Sequence, residues 1–335
     1  MTKVAICGDG VAGSYLYRLL TRHSVGFEVT LFGKKEQRKC EINPCAWGVT
    51  KAFFPLVREV GLDPDDYILS RFKDMVVNGH MMGALFYTID KPKLLADLKA
   101  DTEVSYTNLD HRNPNFDCIV DATGVERVYL PPVANGDDVI CPCYQMHFFT
   151  RDPITYPVMI QTGHVGYAWF FPLGPHECHF GCGSLVRNPK EILNETTLGL
   201  VRAGEAHKSN GLELRCACAS RVRLNGPQAS EPFVHGNIWG VGESIGCVSP
   251  IIGEGIVPAM ECAQIFANTY PDAAKYTEGV KQQFGWMKNE RRALNKMRAG
   301  KRFSVFDLVT IKTNAARAGM NMSIQDIYRM LKGVK

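Results

Sequence analysis

Six residues near the start of the chain, Gly8-Asp9-Gly10-Val11-Ala12-Gly13, have the composition and spacing of a turn that cradles a pyrophosphate. The first glycine permits the tight turn, the second lets the backbone approach the anion, and the third packs helix on strand. Unpaired amides at the helix start then hold the negative charge. Val4 to Cys7 is a short apolar run before this turn, and an apolar-periodic segment through Leu16, Leu19 and Leu20 follows it. Strand, glycine turn and helix in that order read as a dinucleotide site rather than a chance pattern. Phe27 to Phe32 supplies the second strand of the βαβ unit. The residue after it is Gly33, where an acid ordinarily accepts from the ribose hydroxyls, leaving Lys34, Lys35 or Glu36 as substitutes.

A second segment carries chemistry of another kind. Gly242-Glu243-Ser244-Ile245-Gly246, followed by Pro250-Ile251-Ile252-Gly253-Glu254-Gly255-Ile256, places an acid after a strand and a glycine-rich turn before a helix through Ala259, Ala263 and Ala267. Glu243 can accept from a ribityl hydroxyl, while helix-end amides can face the N1 and O2 edge of an isoalloxazine and stabilise its reduced, anionic form. NAD has no use for such a site, so the pair of motifs points to FAD. In Tyr167-Ala168-Trp169-Phe170-Phe171-Pro172 the residues Tyr167, Trp169 and Phe171 alternate with a period of two and share one face of a strand. That face reads either as the wall of an apolar channel beside the flavin or as plain aromatic core.

These residues need a scaffold, and the patterning describes one. The chain has 335 residues, 45% hydrophobic and 21% charged, which is enough to bury a substantial core. Buried strands are expected at Cys118 to Val120 and Gly236 to Val241, helices and a strand within Phe53 to Ile89, and antiparallel strands within Cys141 to Leu185. The fold class is therefore α/β. A Rossmann-like FAD-binding domain formed by residues 1–52, 91–130 and 234–275 is interrupted by an α+β substrate domain with an antiparallel sheet, residues 53–90 and 131–233. A helical C-terminal region, 276–335, follows, with Ser323 as N-cap of a last helix whose stripe is Ile324, Ile327 and Leu331.

Composition excludes several classes. No run of eighteen uncharged apolar residues and no signal peptide is found, so the expected location is cytoplasmic. The twelve cysteines include no CxxC pair, which argues for reduced thiols and no metal site. The net charge is +4, yet thirteen Lys or Arg against three acids fall between Lys281 and Lys335, so the rest of the chain is net acidic. That basic region reads as a solvated helical face, with attraction to anionic lipid head groups or an acidic redox partner as the functional alternative. It carries no nucleic-acid-binding motif.

Four blocks in order, GDGVAGS from Gly8, PCAWGV from Pro44 to Val49, GYAWFFP from Gly166 to Pro172 and GESIGCVSPIIGEGI from Gly242 to Ile256, resemble the geranylgeranyl reductase family within the p-hydroxybenzoate hydroxylase-like flavoproteins. The resemblance implies reduction of isoprenoid double bonds by a hydride from reduced FAD and a proton from a positioned acid. It implies cofactor contacts from Gly8, Gly10, Val11, Ala12, Gly13, Cys45, Ala46, Gly48, Lys91, Ala122, Gly124, Glu243, Gly253, Gly255 and Ile256. Cys45 is the candidate catalytic thiol, and Tyr167, Trp169 and Phe171 are the candidate substrate contacts. Here Glu243 stands for the family's aspartate and Lys91 for its arginine. The implied substrate is an isoprenoid lipid, with peripheral membrane contact, and the electron donor is ferredoxin, a deazaflavin or NADPH. The same fold also serves flavin monooxygenases, halogenases and lycopene cyclase-like enzymes, and an electron carrier is the non-enzymatic alternative.

Overall fold

The computed structural model describes residues 1–23, 26–34, 45–107, 109–110, 113, 115–134, 137–162, 165–202 and 212–327. Its chain order is β1 (Thr2–Cys7), α1 (Val11–His23), β2 (Phe27–Phe32), β3 (Gly48–Val49), α2 (Phe53–Glu59), β4 (Ile68–Val77), β5 (His80–Ile89), α3 (Lys91–Leu98), β6 (Cys118–Asp121) and β7 (Ile140–Thr150). There follow β8 (Val158–Gln161), β9 (Gly166–Gly174), β10 (Glu177–Ser184), α4 (Pro189–Arg202), β11 (Leu212–Arg223), β12 (Val234–His235) and β13 (Ile238–Gly240). Four helices close the chain: α5 (Ile256–Thr269), α6 (Ala273–Gln283), α7 (Met287–Arg298) and α8 (Val305–Arg317).

Two sheets result. The first has the order β12-β13-β6-β1-β2, parallel except for the edge strand β12. Its central strands β1 and β6 are buried on both faces, as a sheet covered by helices requires, which is why they read as continuous apolar runs. Helix α1 lays Tyr15, Leu16, Leu19 and Leu20 onto this core, and α5 packs beside it. The second sheet has the order β11-β7-β10-β9-β8-β4-β5-β3 and is antiparallel apart from the β4 and β8 pair. Residues 48–49 lie inside the span expected for the nucleotide domain, but β3 pairs with β5 and so belongs to the second sheet.

Alternation on the second sheet decides what faces the nucleotide domain. On β9 and β10 the register places Phe171 opposite His179, Trp169 opposite Gly181 and Tyr167 opposite Gly183. On β7 the same row continues as His147, Gln145 and Cys143. The opposite face, with Phe148, Met146, Cys178, Phe180 and Ala168, is covered by Ile192 and Leu193 of α4. Helix α8 and the segment through Ile327 close over β4 and β5, with Ile311, Ala315, Met320 and Ile327 in one cluster with Phe72, Met75 and Phe86. Ser323 caps the last helix, its hydroxyl accepting from the Asp326 amide at 3.1 Å, while Leu331 lies outside the described residues.

The basic C-terminal region is less free than its charge implies. Arg291 is buried and donates to Asp137 at 2.6 Å and Asn225 at 2.7 Å, and Lys296 pairs with Asp307 at 2.5 Å. Arg291 ties α7 to the loops before β7 and after β11, and Lys296 ties α7 to α8. Lys288 and Arg292 of the same helix stay exposed, Arg292 lying over the Phe306 ring.

Candidate functional site

The three glycines of the first motif meet different neighbours. A Cβ on Gly8, whose φ is +116°, would lie 2.2 Å from the Ala122 carbonyl oxygen, and one on Gly13 would lie 1.8 Å from the carbonyl oxygen of Gly8. These two glycines exist for packing of strand, turn and helix. A Cβ on Gly10 would meet nothing within 4 Å, so the chain itself gives no reason for that glycine. An approaching ligand does. The Gly10 carbonyl accepts the first helical bond from Ser14, which leaves the amides of Val11, Ala12 and Gly13 without helical partners beside this open surface.

The distant motif closes onto the first. A Cβ on Gly242, φ +74°, would lie 2.7 Å from the Ala12 Cβ, so the two segments are in direct contact. Gly124, φ +68°, faces Glu243 Oε2, and Glu243 Oε1 accepts from the Arg223 amide at 2.8 Å. Burial pushes the Glu243 carboxyl up to about 6, against the pull of that amide, Arg223 and Lys91. The charge of Lys91, at the start of α3, favours the ionised form of Glu243 and the neutral form of His179. Gly255 is the N-cap of α5 and no side chain caps that helix, so the amides of Ile256 and Val257 are available at its start, Pro258 having none. Open space at Gly10, two uncapped helix starts and a cationic side chain beside an acid fit a dinucleotide bound along the first motif with its ring system toward α5.

The second sheet brings the remaining expected residues to the same place. Gln145, buried on β7, donates to the Cys45 carbonyl at 3.0 Å and accepts from Trp169 Nε1 at 3.2 Å. One amide thus fixes both the Cys45 loop and the aromatic wall. The Tyr167 hydroxyl donates to the Ile252 carbonyl, tying β9 to the turn before α5. Ala46, Tyr167, Trp169, Phe171, Ile251 and Ile252 form one apolar cluster. Tyr167, Trp169 and Phe171 do share a face, but Trp169 packs over Gly181 and Phe171 against Phe86, so they form a filled wall. Gly48 is glycine for that packing, since a Cβ there would lie 2.5 Å from the Phe86 ring. Pro44, Lys35 and Glu36 lie outside the described residues, and Lys34 is exposed.

Sequence reasoning missed three features. Gln145 is one. The second is a buried polar cluster of Trp47, His147 and His179, in which Trp47 Nε1 and His147 Nδ1 have no partner among the described residues, with the His179 ring 4.4 Å from Trp47 and 5.2 Å from His147. Burial lowers His179 to about 3, so it is neutral at ordinary pH. The third is the carboxyl of Glu290 on α7, which accepts from Ser249 at 2.6 Å beneath the turn that leads to α5. No signal marks these from a single sequence, because each depends on a partner far along the chain. Among the described residues no group of side chains is arranged to hold a metal ion, and no helix is long and apolar enough to cross a membrane.

Burial raises Glu290 from its ordinary 4.5 to about 7, which makes a prediction about stability. The folded protein keeps a proton that the unfolded chain releases, so this contribution is fully present below pH 4.5 and is lost as pH rises through 7. Glu290→Gln should flatten the decline, with a gain of roughly 3 kcal/mol at pH 8 that denaturant midpoints between pH 4.5 and 8 would measure. Parallel pH profiles for the two proteins would contradict it.

No protein-family model matches the chain. An uncharacterized protein of Methanocaldococcus jannaschii is 24% identical over 343 residues, covering 87% of this chain and 91% of that one. Among solved structures, a geranylgeranyl bacteriochlorophyll reductase-like protein from Thermoplasma acidophilum superimposes with a TM-score of 0.67 at 18% identity, covering 89% of this chain and 88% of the other. A tryptophan 6-halogenase from Streptomyces toxytricini gives 0.64 at 16% identity over 93% and 82% of the two chains. A "probable FAD-dependent monooxygenase" from Pseudomonas aeruginosa gives 0.60 at 14% identity over 88% and 96%. With its parallel sheet, glycine turn and covering antiparallel sheet, this chain has the fold of the FAD-dependent oxidoreductases, shared by reductase, halogenase and monooxygenase alike.

Proposed function

We propose that the protein binds FAD and is a reductase of carbon–carbon double bonds in isoprenoid lipids, of the geranylgeranyl type. The observation that carries this reading is the apolar wall of Ala46, Tyr167, Trp169, Phe171, Ile251 and Ile252 set against the turn that starts α5. An isoprenoid chain offers no polar handle, so its recognition requires apolar surface beside the cofactor, which the partly exposed members Ala46, Tyr167, Ile251 and Ile252 can offer while Trp169 and Phe171 back them. FAD, when bound and reduced, supplies the hydride for one alkene carbon. The chain must exclude water, hold the double bond in place and deliver a proton to the other carbon. Cys45 sits on the loop that Gln145 pins and is the thiol we assign to that proton. Cys45→Ala should keep its flavin and lose about a hundredfold in turnover, with Cys45→Ser recovering part; full activity in Cys45→Ala would remove the assignment. The reaction itself is tested by anaerobic incubation of dithionite-reduced protein with geranylgeranyl lipids, read by mass for a gain of two hydrogens per double bond. Hydroxylation or halogenation of an aromatic substrate in air, with no such gain, would favour the other chemistries of the fold.

A lipid-borne substrate calls for access to a membrane surface, and α8 supports one. Val305, Phe306 and Val309 are 75%, 55% and 45% exposed at its start, beside the exposed cations Lys288, Arg292, Lys301, Arg302 and Lys312. None of these five cations forms an ion pair among the described residues. An apolar helix start with Arg292 over the Phe306 ring, on helices that carry further exposed cations, suits an anionic bilayer. Replacing Val305, Phe306 and Val309 together by serine should weaken sedimentation with phosphatidylglycerol-containing vesicles roughly tenfold or more. Undiminished binding would rule this surface out.

A further inference from the structure

Gly33 stands where nucleotide folds place the acid that holds the adenosine ribose, and its lack of a side chain has a structural counterpart. A Cβ on Gly33 would lie 2.8 Å from Cγ and 3.0 Å from Oδ1 of Asp9, the residue between the first two glycines of the N-terminal motif. The Asp9 carboxylate and Val104, whose Cγ1 would also lie 2.8 Å from that Cβ, together fill the space that a side chain at position 33 would enter. Two hydrogen bonds fix the backbone around Asp9 and one ion pair holds the carboxylate. The Gly8 amide donates to the Phe32 carbonyl at 2.8 Å, drawing the turn against the end of β2. The Ser14 hydroxyl donates to the Asp9 carbonyl at 2.8 Å, fixing the backbone. Lys99 Nζ, just beyond α3, pairs with Asp9 Oδ2 at 3.0 Å. The two side chains are 26% and 21% exposed, reachable by a ligand yet not freely solvated. Oδ1, the oxygen turned toward Gly33, has no hydrogen-bond partner among the described residues.

We propose that Asp9 accepts from the adenosine ribose hydroxyls of the bound dinucleotide, with Lys99 as the positioning residue that aims its carboxylate. The acid has moved from the end of β2 into the glycine turn, and glycine at 33 makes room for it. Chemically the site is the ordinary one: a carboxylate oxygen offered to a vicinal diol at the edge of the sheet. This inference rests on the reading that the chain binds FAD.

The test is titration of apo-protein by flavin fluorescence with FAD and with an FAD analogue whose adenosine ribose lacks the 2′- and 3′-hydroxyls. Wild-type protein should bind the analogue at least roughly tenfold more weakly than FAD. Asp9→Ala should bind FAD as weakly as wild type binds the analogue, and should no longer distinguish the two. Gly33→Ala, whose new methyl displaces the Asp9 carboxylate, should lose the same discrimination while keeping the charge. An Asp9→Ala protein that still discriminates as wild type does would overturn the proposal. A wild-type protein that binds neither flavin would instead overturn the FAD reading on which it rests.

Discussion

A Gly10→Val protein should melt at the wild-type temperature in its apo form and be purified colourless. A Cβ at position 10 has no atom of the chain within 4 Å, so folding should be little affected, but the valine methyl groups occupy the surface where a pyrophosphate must meet the Val11 to Gly13 amides. Gly13→Ala should behave in the opposite way. Its methyl would stand 1.8 Å from the Gly8 carbonyl oxygen and 3.2 Å from Ile6, so helix and strand must separate, at roughly 2 to 4 kcal/mol. Flavin absorbance of the purified proteins and thermal melts of the apo forms distinguish the two. Stoichiometric flavin in Gly10→Val would sink the assignment of this turn to the cofactor.

Replacing Arg127 by methionine should destabilise the protein by roughly 3 to 5 kcal/mol, read as a lowered denaturant midpoint. Arg127 is buried in a left-handed conformation, and its guanidinium donates to the carbonyls of Pro131 at 2.8 Å, Ser230 at 2.9 Å, Ser244 at 2.6 Å and Pro232 at 2.7 Å. Burial lowers it to about 10, so it remains charged at neutral pH and its four bonds are charge-assisted. Methionine fills much of the volume and satisfies none of the acceptors. Because Ser244 follows Glu243 in the turn, flavin affinity should fall as well. A midpoint within experimental error of wild type would show that water satisfies those carbonyls instead.

How much of this was readable in advance follows the distance between partners. The first glycine turn, the helix after it and the alternation of Tyr167, Trp169 and Phe171 are local, and each was visible as spacing alone. The contact of Ala12 with Gly242 was implied only because both segments carried cofactor chemistry of their own. Nothing local marks Arg127, since its acceptors Ser230 and Ser244 lie 103 and 117 residues away. Gln145 had no signature either, with Cys45 a hundred residues before it. Gly33 was read as a missing acid because the eye stays on one strand, whereas Asp9 reaches that strand from the turn beside it. The basic region from Lys281 to Lys335 is less solvated than its net charge suggests, because that charge does not reveal the pairing of Arg291 with Asp137 and of Lys296 with Asp307.

The hydroxyl of Tyr15 on α1 accepts from Gln264 on α5 at 3.3 Å, across 249 residues of chain. During synthesis the glycine turn leaves the ribosome early, but the helix that packs beside it follows roughly 10 to 50 s later at ordinary elongation rates. Until then the flank of α1 that α5 covers is without its neighbour. Cofactor loading is accordingly a late event, and a truncation before α5 would yield a chain that begins its nucleotide fold and cannot finish it.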